Sequence, residues 1–420
     1  MRIAYIDFSR SNGHASVSHR EINTVYAAMH GVNARAKLLS CMCDSYFVAV
    51  GMKPPSAADL NRRYDGIILS PLDKKYPWAR DALSVPCVSI MGDIVTPGMN
   101  TIQLDNAAAV RMLIDHLVGS GFRRIVYIDP FNAYWSRERD AAFRSYAAMK
   151  TSAVIESRYY DHGRCAEAFS AAQANLLRHG WNALPSPARR KLLASVFARV
   201  MEQGQPEVFL CVNDSVAGAL IHFLKERGIT VPDDVAVTGI DDFGLEFEPY
   251  GVSFLTTIRQ DFSQAGEIAA QMLIEMITGL RPKRGQVIRI VPRLMTRLSA
   301  VHGPLTPAAA GDALFRNRVL DLLDDKYAEA DLLPVLARIT GFHPAYFSAK
   351  FKNVFGITFK RYVSDQRLQK AAFFLENTRR PVLDILFDVG YRDHGSFNKL
   401  FRIKYGCSPT MYRMRSGKKS

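Results

Sequence analysis

The last hundred residues carry one pattern twice. Phe347, Phe351, Gly356 and Tyr362 are spaced by 4, 5 and 6 positions, and Phe397, Phe401, Gly406 and Tyr412 repeat that spacing at an offset of 50. Two copies of one supersecondary unit are implied. In each copy the two Phe stand at i and i+4 on one helical face, and the Gly closes the helix where a positive φ is convenient. These Phe residues are read as core: they mark the helix and read nothing.

Each Phe helix follows a shorter helix and a Gly turn. Residues 332–339, Thr340-Gly341-Phe342 and 344–354 make one helix-turn-helix; 382–389, Gly390-Tyr391-Arg392 and 394–404 make the other. Pro344 suits a first helical position and Asp393 an N-cap. A short turn with Gly lets the second helix enter a major groove.

Charge falls on the same segment. The whole chain has 54 Lys+Arg against 40 Asp+Glu, net +14, which alone fits a polyanionic partner, a membrane surface or simple solubility. From Arg338 to Ser420 there are 17 Lys/Arg and 5 Asp/Glu, net +12, which leaves 37 against 35 over residues 1–337. A near-neutral module joined to one that meets phosphates has this asymmetry. Residues 299–312, rich in Pro, Gly and Ala without periodicity, read as a linker between a domain at 1–298 and another at 313–420, with helix-turn-helix units over 331–355 and 382–405.

In the first domain, short apolar runs alternate with amphipathic stretches. Residues 65–70, 87–91, 124–129, 208–212 and 235–240 are continuous rather than alternating, which suits parallel strands buried on both faces, with helices such as 107–118 and 215–227 as crossovers. The expected class is α/β. Roughly ten such strands exceed one doubly wound sheet, so two lobes with a cleft are expected, with ligand at the carboxyl ends of strands. Polar groups cluster there: Asp105-Asn106, Asn213-Asp214 and Asp241-Asp242. Each alone reads as a helix cap; together they suit a hydroxyl-rich ligand, because Asp and Asn hold several hydroxyls at fixed angles.

These runs carry a resemblance. Asp105-Asn106, Gly121-Phe122-Arg123-Arg124-Ile125, Asn213-Asp214-Ser215-Val216-Ala217-Gly218, the run from Pro232 to Asp242, Leu255-Thr256-Thr257-Ile258-Arg259-Gln260 and Pro292-Arg293-Leu294-Met295-Thr296-Arg297-Leu298-Ser299 resemble, in this order, the effector-binding core of LacI/GalR-type regulators. The resemblance implies a two-lobed, periplasmic-binding-protein-like sensor, with ligand contacts from Asp105, Arg139, Asn213, Asp241 and Gln260. Arg139 lies in Arg139-Asp140-Ala141-Ala142-Phe143, where Ala142 departs from the family's usual Gly. Its planar fork of donors suits two adjacent sugar hydroxyls. Trp135 offers either a face for a sugar ring or a core side chain. The family places DNA-binding helices ahead of this core, and this chain is expected to lack them because it opens on the first strand.

The C-terminal segment resembles the AraC-type DNA-binding domain, through the run from Gly341 to Lys352, Arg367, the run from Asp388 to Arg402, and Ser408-Pro409-Thr410-Met411-Tyr412-Arg413. Ala349 stands where that family usually has Arg, and Gly395 where it has Ser. By helical position Ala345, Tyr346, Ala349 and Asn353 of the first reading helix, and His394, Asn398, Lys399 and Arg402 of the second, project away from the Phe face. Asn398 and Lys399 suit base edges, Asn pairing with adenine and Lys with guanine. Lys350, Lys352, Arg392, Arg402 and Lys404 suit phosphates, a solvated charge being the alternative for any single Lys. His394 also reads as a plain helix-start residue.

The order of the two modules, and the stretch from Trp135 to Arg144, is similar to the XylR-type xylose regulators. The resemblance implies a homodimeric, sugar-responsive regulator bound to double-stranded operator DNA, with a pentose such as xylose as effector and activation through RNA polymerase. The first residues lack the succession of a signal peptide and no run of about 18 apolar residues occurs, so a cytoplasmic protein without membrane contact is expected. Six cysteines without CxxC spacing read as free thiols. No GxSxG, HExxH or GxxxxGK[ST] motif and no metal-spaced His/Cys group is present, so no catalytic residue, metal or cofactor is expected. The adjacent Asp241-Asp242 cannot flank a bond from opposite sides, as a sugar-cleaving enzyme needs. A ligand-independent DNA binder is the other alternative, marked by sequence-independent binding with a steep salt slope.

Overall fold

The computed structural model describes residues 1–8, 21–48, 53–70, 83–91, 99–130, 134–150, 193–202 except 195 and 199, 204–242, 254–281, 285–301, 307–329 and 331–416. The chain forms two compact units, Met1–Leu305 and Thr306–Ser420.

The first unit is α/β with two sheets. One has six strands in the order β10-β5-β4-β3-β1-β2, all parallel: β1 (Arg2–Asp7), β2 (Met42–Phe47), β3 (Gly66–Ser70), β4 (Cys87–Ile90), β5 (Asn100–Leu104) and β10 (Val287–Ile290). The other has five in the order β11-β9-β8-β7-β6: β6 (Ile125–Ile128), β7 (Val208–Cys211), β8 (Ala236–Asp241), β9 (Thr256–Arg259) and β11 (Arg293–Met295), which alone runs antiparallel. The continuous apolar runs are central strands: every residue of β3, β6 and β7 is buried. This is the two-lobed arrangement expected.

The chain passes between the sheets three times. After β5 it enters α3 (Asn106–Gly119), which packs on β9 and β11, following α1 (Glu21–Leu38) and α2 (Ala57–Arg63) of the first lobe. After β6 comes α4 (Tyr134–Met149) and after β7 comes α5 (Asp214–Lys225). After β9 the chain enters α6 (Phe262–Ile277), which packs on α1 and on β3, β4 and β5. The third passage joins β10 to β11. The first two passages use one device: Asp105 and Asp261 adopt φ/ψ of −82°/80° and −83°/80°, and each carboxylate accepts a hydrogen bond of 2.8 Å, from the Ala108 and Gln264 amides respectively.

The linker expected at 299–312 is shorter at both ends. Leu298–Ala300 form a buried 3-10 turn, and the Ser299 hydroxyl donates to the Val237 carbonyl at 2.6 Å and accepts from the Thr256 amide at 2.8 Å, so this segment belongs to the sensor core. At the other end Pro307 begins α7 (Pro307–Lys326). The alanines at 308–310 are strong helix formers and Pro suits the first turn, properties that a reading based on missing periodicity passed over.

The second unit is all helical, with α7 followed by α8 (Leu332–Ile339), α9 (Pro344–Phe355), α10 (Phe359–Asn377), α11 (Val382–Asp388), α12 (His394–Tyr405) and α13 (Pro409–Ser416). The repeat is visible in the packing. Phe347, Phe351, Phe397 and Phe401 are fully buried. Tyr362 packs edge-on to Phe351 at 5.6 Å, and Tyr412 does the same to Phe401 at 5.4 Å. Gly356 and Gly406 end α9 and α12 at φ 73° and 72°, where a side chain would be strained. One departure from strict repetition appears: Gly341 lies three residues before α9 starts, whereas Gly390 lies four before α12, so the second turn is one residue longer.

Candidate ligand site and DNA-reading surface

In the sensor, three of the expected ligand residues meet at one point. β8 ends at Asp241 and Asp242, whose φ angles of 114° and 56° are both in the region that favours glycine. Such conformations cost about 1–3 kcal/mol each and persist where the surroundings over-determine them. Here ion pairs do so, in opposite directions. Asp241 accepts from Arg139 Nη2 at 2.7 Å; Asp242 accepts from Arg297 Nη1 at 2.6 Å and is also bonded by Arg259. Burial raises the Asp241 pKa, only partly opposed by Arg139 and Gln260. Burial also acts on Asp242, but Arg297 and Arg259 outweigh it and lower its pKa.

Arg139 is 2 % exposed and uses its whole fork: Nε donates to Asn106 Oδ1 at 2.9 Å and Nη1 to the Val212 carbonyl at 2.6 Å. It thereby ties α4, the end of β7, the end of β8 and the first passage between lobes. Phe143, one turn along α4, stacks on Tyr127 of β6 at 4.8 Å and anchors the helix; Ala142 sits within it as ordinary helix. Trp135 is half-buried, with the Arg139 guanidinium 5.0 Å from its ring centroid, so it props the arginine. Gln260, 4 % exposed, donates to Asp241 at 3.4 Å, while its Oε1 is buried without a hydrogen-bond donor.

Asp105 and Asn213 serve first as caps, Asp105 for α3 and Asn213 for α5, where its Oδ1 accepts from the Val216 amide at 3.0 Å. Sequence reasoning passed over several buried polar residues of the same unit. Asn106 bridges Arg139 and Glu138, donating to Glu138 at 2.9 Å. Asp7 and Asp129, both buried, follow Ile6 and Ile128 at strand ends, the same signal that pointed to Asp241. Gln103, two residues before the first passage, is 4 % exposed with both amide atoms unbonded, a rare condition that a polar ligand site tolerates. Among the described residues there is no group of His, Cys, Asp or Glu that could hold a metal ion, and Cys41, Cys43, Cys87, Cys211 and Cys407 form no disulfide; Cys165 lies outside the described residues.

In the second unit several of the residues expected to project from α9 and α12 are exposed. On α9, Ala345, Tyr346, Ala349, Lys352 and Asn353 are exposed, Tyr346 by 55 %. Its ring leans on Phe342 at 5.0 Å, which rests on Phe315. On α12, His394, Lys399 and Arg402 are exposed, as is Arg392 in the turn. Asn398 is half-buried and its Nδ2 lies 3.2 Å from the His394 ring, so the two engage each other. Asp393 caps α12, accepting from the Ser396 amide at 2.6 Å, and hydrogen bonding by the Ser396 side chain, followed by the Ser396 and Gly395 amides, lowers its pKa. Two of the expected phosphate anchors have partners inside the protein. Lys350 donates to Asp312 at 2.8 Å, and Lys404 to the carbonyl and carboxylate of Asp365 at 3.0 Å.

The opposed signs at Asp241 and Asp242 give a test. Asp242→Asn removes the partner of two guanidiniums, so a loss of about 3–5 kcal/mol is expected. Asp241→Asn removes a carboxylate that burial already disfavours, and its cost in denaturant melts is expected to be smaller. In pH terms, Asp242 contributes stability above its ordinary value of 3.8 that is lost as pH falls through its lowered folded value. Asp241, raised on folding, costs stability above 3.8 and returns it as pH falls.

Comparison with known proteins places both units. Residues 114–300 match the periplasmic binding protein-like domain family and residues 336–415 a helix-turn-helix domain family. The xylose operon regulatory protein of Escherichia coli (strain K12) is 24 % identical over 360 residues, 83 % of each chain. Regulatory protein SoxS of Salmonella typhimurium is 30 % identical over 97 residues, 23 % of this chain and 91 % of that protein. A solved structure of a xylose-binding transcription activator overlays with a TM-score of 0.50 at 20 % identity, covering 99 % of this chain and 98 % of that one. The chain spans between 48 % and 65 % of the length of three other curated repressors that it matches. No helix among the described residues is long and apolar enough to cross a membrane. With a periplasmic binding protein-like domain in the first unit and, in the second, the helix-turn-helix pair it shares with SoxS, the chain belongs to the helix-turn-helix regulatory proteins.

Proposed function

We propose that the chain is a cytoplasmic, homodimeric activator that binds a neutral sugar, a pentose such as xylose, between its sensor lobes and reads operator DNA with α9 and α12, contacting RNA polymerase when bound. The observation that carries the sensing half is the Arg139–Asp241 pair with Gln260 beside it. A buried arginine held by a carboxylate has no net charge to offer an acid, but it offers fixed donors and acceptors to hydroxyls. Asp105 and Asn213 each keep polar atoms beyond the one used in capping, and Trp135 backs the arginine; these complete the proposed ligand set. The similarity to a xylose operon regulator over 83 % of the chain favours the pentose.

For the reading half, Asn398 and Lys399 are assigned to base edges, with His394 positioning Asn398. Tyr346, Ala349 and Asn353 face the DNA from α9, where the absence of a long donor at 349 favours contact with thymine methyl groups. Lys352, Arg392 and Arg402 hold phosphates. The proposed functional units are a sensor that runs through the buried turn Leu298–Ala300 and a reader that begins with α7 at Pro307.

Two measurements test these assignments. In thermal-shift assays against pentoses, hexoses and sugar acids, a cognate sugar at 100 times its Kd is expected to stabilise the protein by about 2.7 kcal/mol. Arg139→Ala is expected to abolish that shift, and stabilisation by sugar acids alone would reject a neutral ligand. In salt titrations of DNA affinity, Arg392→Ala and Arg402→Ala are each expected to lower the slope by about one. Lys350→Ala and Lys404→Ala, whose ammonium groups are engaged by Asp312 and Asp365, are expected to leave it nearly unchanged.

A further inference from the structure

The two helix-turn-helix units share α10. Phe359 and Val363 at its start belong to the first core, with Phe315, Leu336, Phe347 and Phe351. Leu368, Ala371, Phe374 and Leu375 are buried further along, where α10 meets α11 and α13. Arg367 lies between these two sets. Its Nε donates to the Tyr327 carbonyl at 2.8 Å and its Nη2 to the Glu329 carbonyl at 2.7 Å, both in the connection that leads from α7 into α8, the opening helix of the first helix-turn-helix. Its Nη1 donates to the Gly390 carbonyl at 2.8 Å, in the turn of the second unit. The acceptors are backbone, so the contact fixes main chain to main chain through one planar fork, which a lysine cannot reproduce.

The turn is built to be reached. A Cβ on Gly390 would lie 2.7 Å from the Ala328 carbonyl oxygen and 2.9 Å from Arg367 Cζ, at a φ of 89°, whereas a Cβ on Gly341 of the first turn would meet nothing within 4 Å. The second turn therefore packs directly on residues 327–329. From the same stretch of α10, Ser364 shares a hydrogen bond of 2.9 Å with the Tyr391 hydroxyl and Asp365 receives Lys404 of α12. Residues 364, 365 and 367 thus tie the turn and the helix that follow it, and Arg367 alone of the three reaches back to the connection leading into the first helix-turn-helix by the hydrogen bonds described.

We propose that Arg367, seated on Gly390, sets the spacing and rotational phase at which α9 and α12 meet DNA. It is a positioning residue and touches no DNA. The inference rests on the reading of both helices as DNA readers. Two contacts on one duplex face are sensitive to this setting, because one added base pair turns the second contact by about 34° and moves it by about 3.4 Å.

The test begins with random duplexes from which the full-length protein selects its preferred two-part sequence. Probes are then made with one base pair inserted or removed between the two parts, and affinities are measured for the wild type, Arg367→Lys and Arg367→Met. The wild type is expected to lose tenfold or more on either change, and the variants threefold or less. The ratio between two probes is taken on one preparation, so partial loss of folded protein cancels. An unchanged spacing penalty in both variants overturns the proposal, as does a wild type indifferent to spacing. Failure to select any preferred duplex would instead overturn the reading of the helices as sequence-specific. A variant that binds neither probe is put through the selection itself, and recovery of the wild-type spacing there also counts against the proposal.

Discussion

Two neighbouring carboxylates at the end of β8 face opposite ways, and the sensor depends on that division. Asp242 is locked between Arg259 and Arg297, which join β9 and the stretch after β11 to β8; it is a structural charge, fully compensated. Asp241 is held from the other side by one arginine, and burial leaves its charged form disfavoured. The positive φ angles of both residues are maintained by these pairs, so the main chain can turn sharply without a glycine. One carboxylate fastens the lobe, which leaves the other free to respond to its surroundings. Gln260 stands beside it at the second passage between lobes, and Asn106 touches Arg139 at the first. A ligand that replaced any of these hydrogen bonds would act on both passages.

The reader rests on a different constraint. Four buried phenylalanines at repeated positions hold two short helices against their neighbours, and the glycines at φ 73° and 72° stop each reading helix at a fixed length. Because the cores are aromatic and closely packed, the outward faces of α9 and α12 are set by residues that never leave the interior. The two faces differ: one presents tyrosine, alanine, asparagine and a lysine, the other histidine, asparagine, lysine and arginine. The fold is repeated while the chemistry of the outward face is not.

Much of this was legible in the sequence, for physical reasons. Buried parallel strands must be apolar throughout, and a repeated helical core must repeat its large residues, so both the α/β class and the paired helix-turn-helix units follow from side-chain identity. Arg139, Asp241 and Gln260 came from strand-end position and family resemblance, and they do converge. Distant pairings were not legible. Nothing local to Asp242 announces Arg297, 55 positions on, and nothing at Lys404 announces Asp365. Caps and ligands draw on the same residue types, so Asp105 and Asn213 could not be separated by chemistry alone. The start of α7 was not legible either, because alanine carries no periodic signal although it favours helix more than any other residue.

The central claim is that sugar in the sensor changes how the reader holds DNA. Coupling of this kind is reciprocal and typically amounts to about 1–3 kcal/mol, or five- to 150-fold in affinity. The direct measurement is the Kd of the full-length protein for its selected duplex, with and without saturating pentose, at one fixed salt concentration. A shift of at least fivefold, abolished by Arg139→Ala, is expected. A Kd that stays the same with the sensor saturated would contradict the claim.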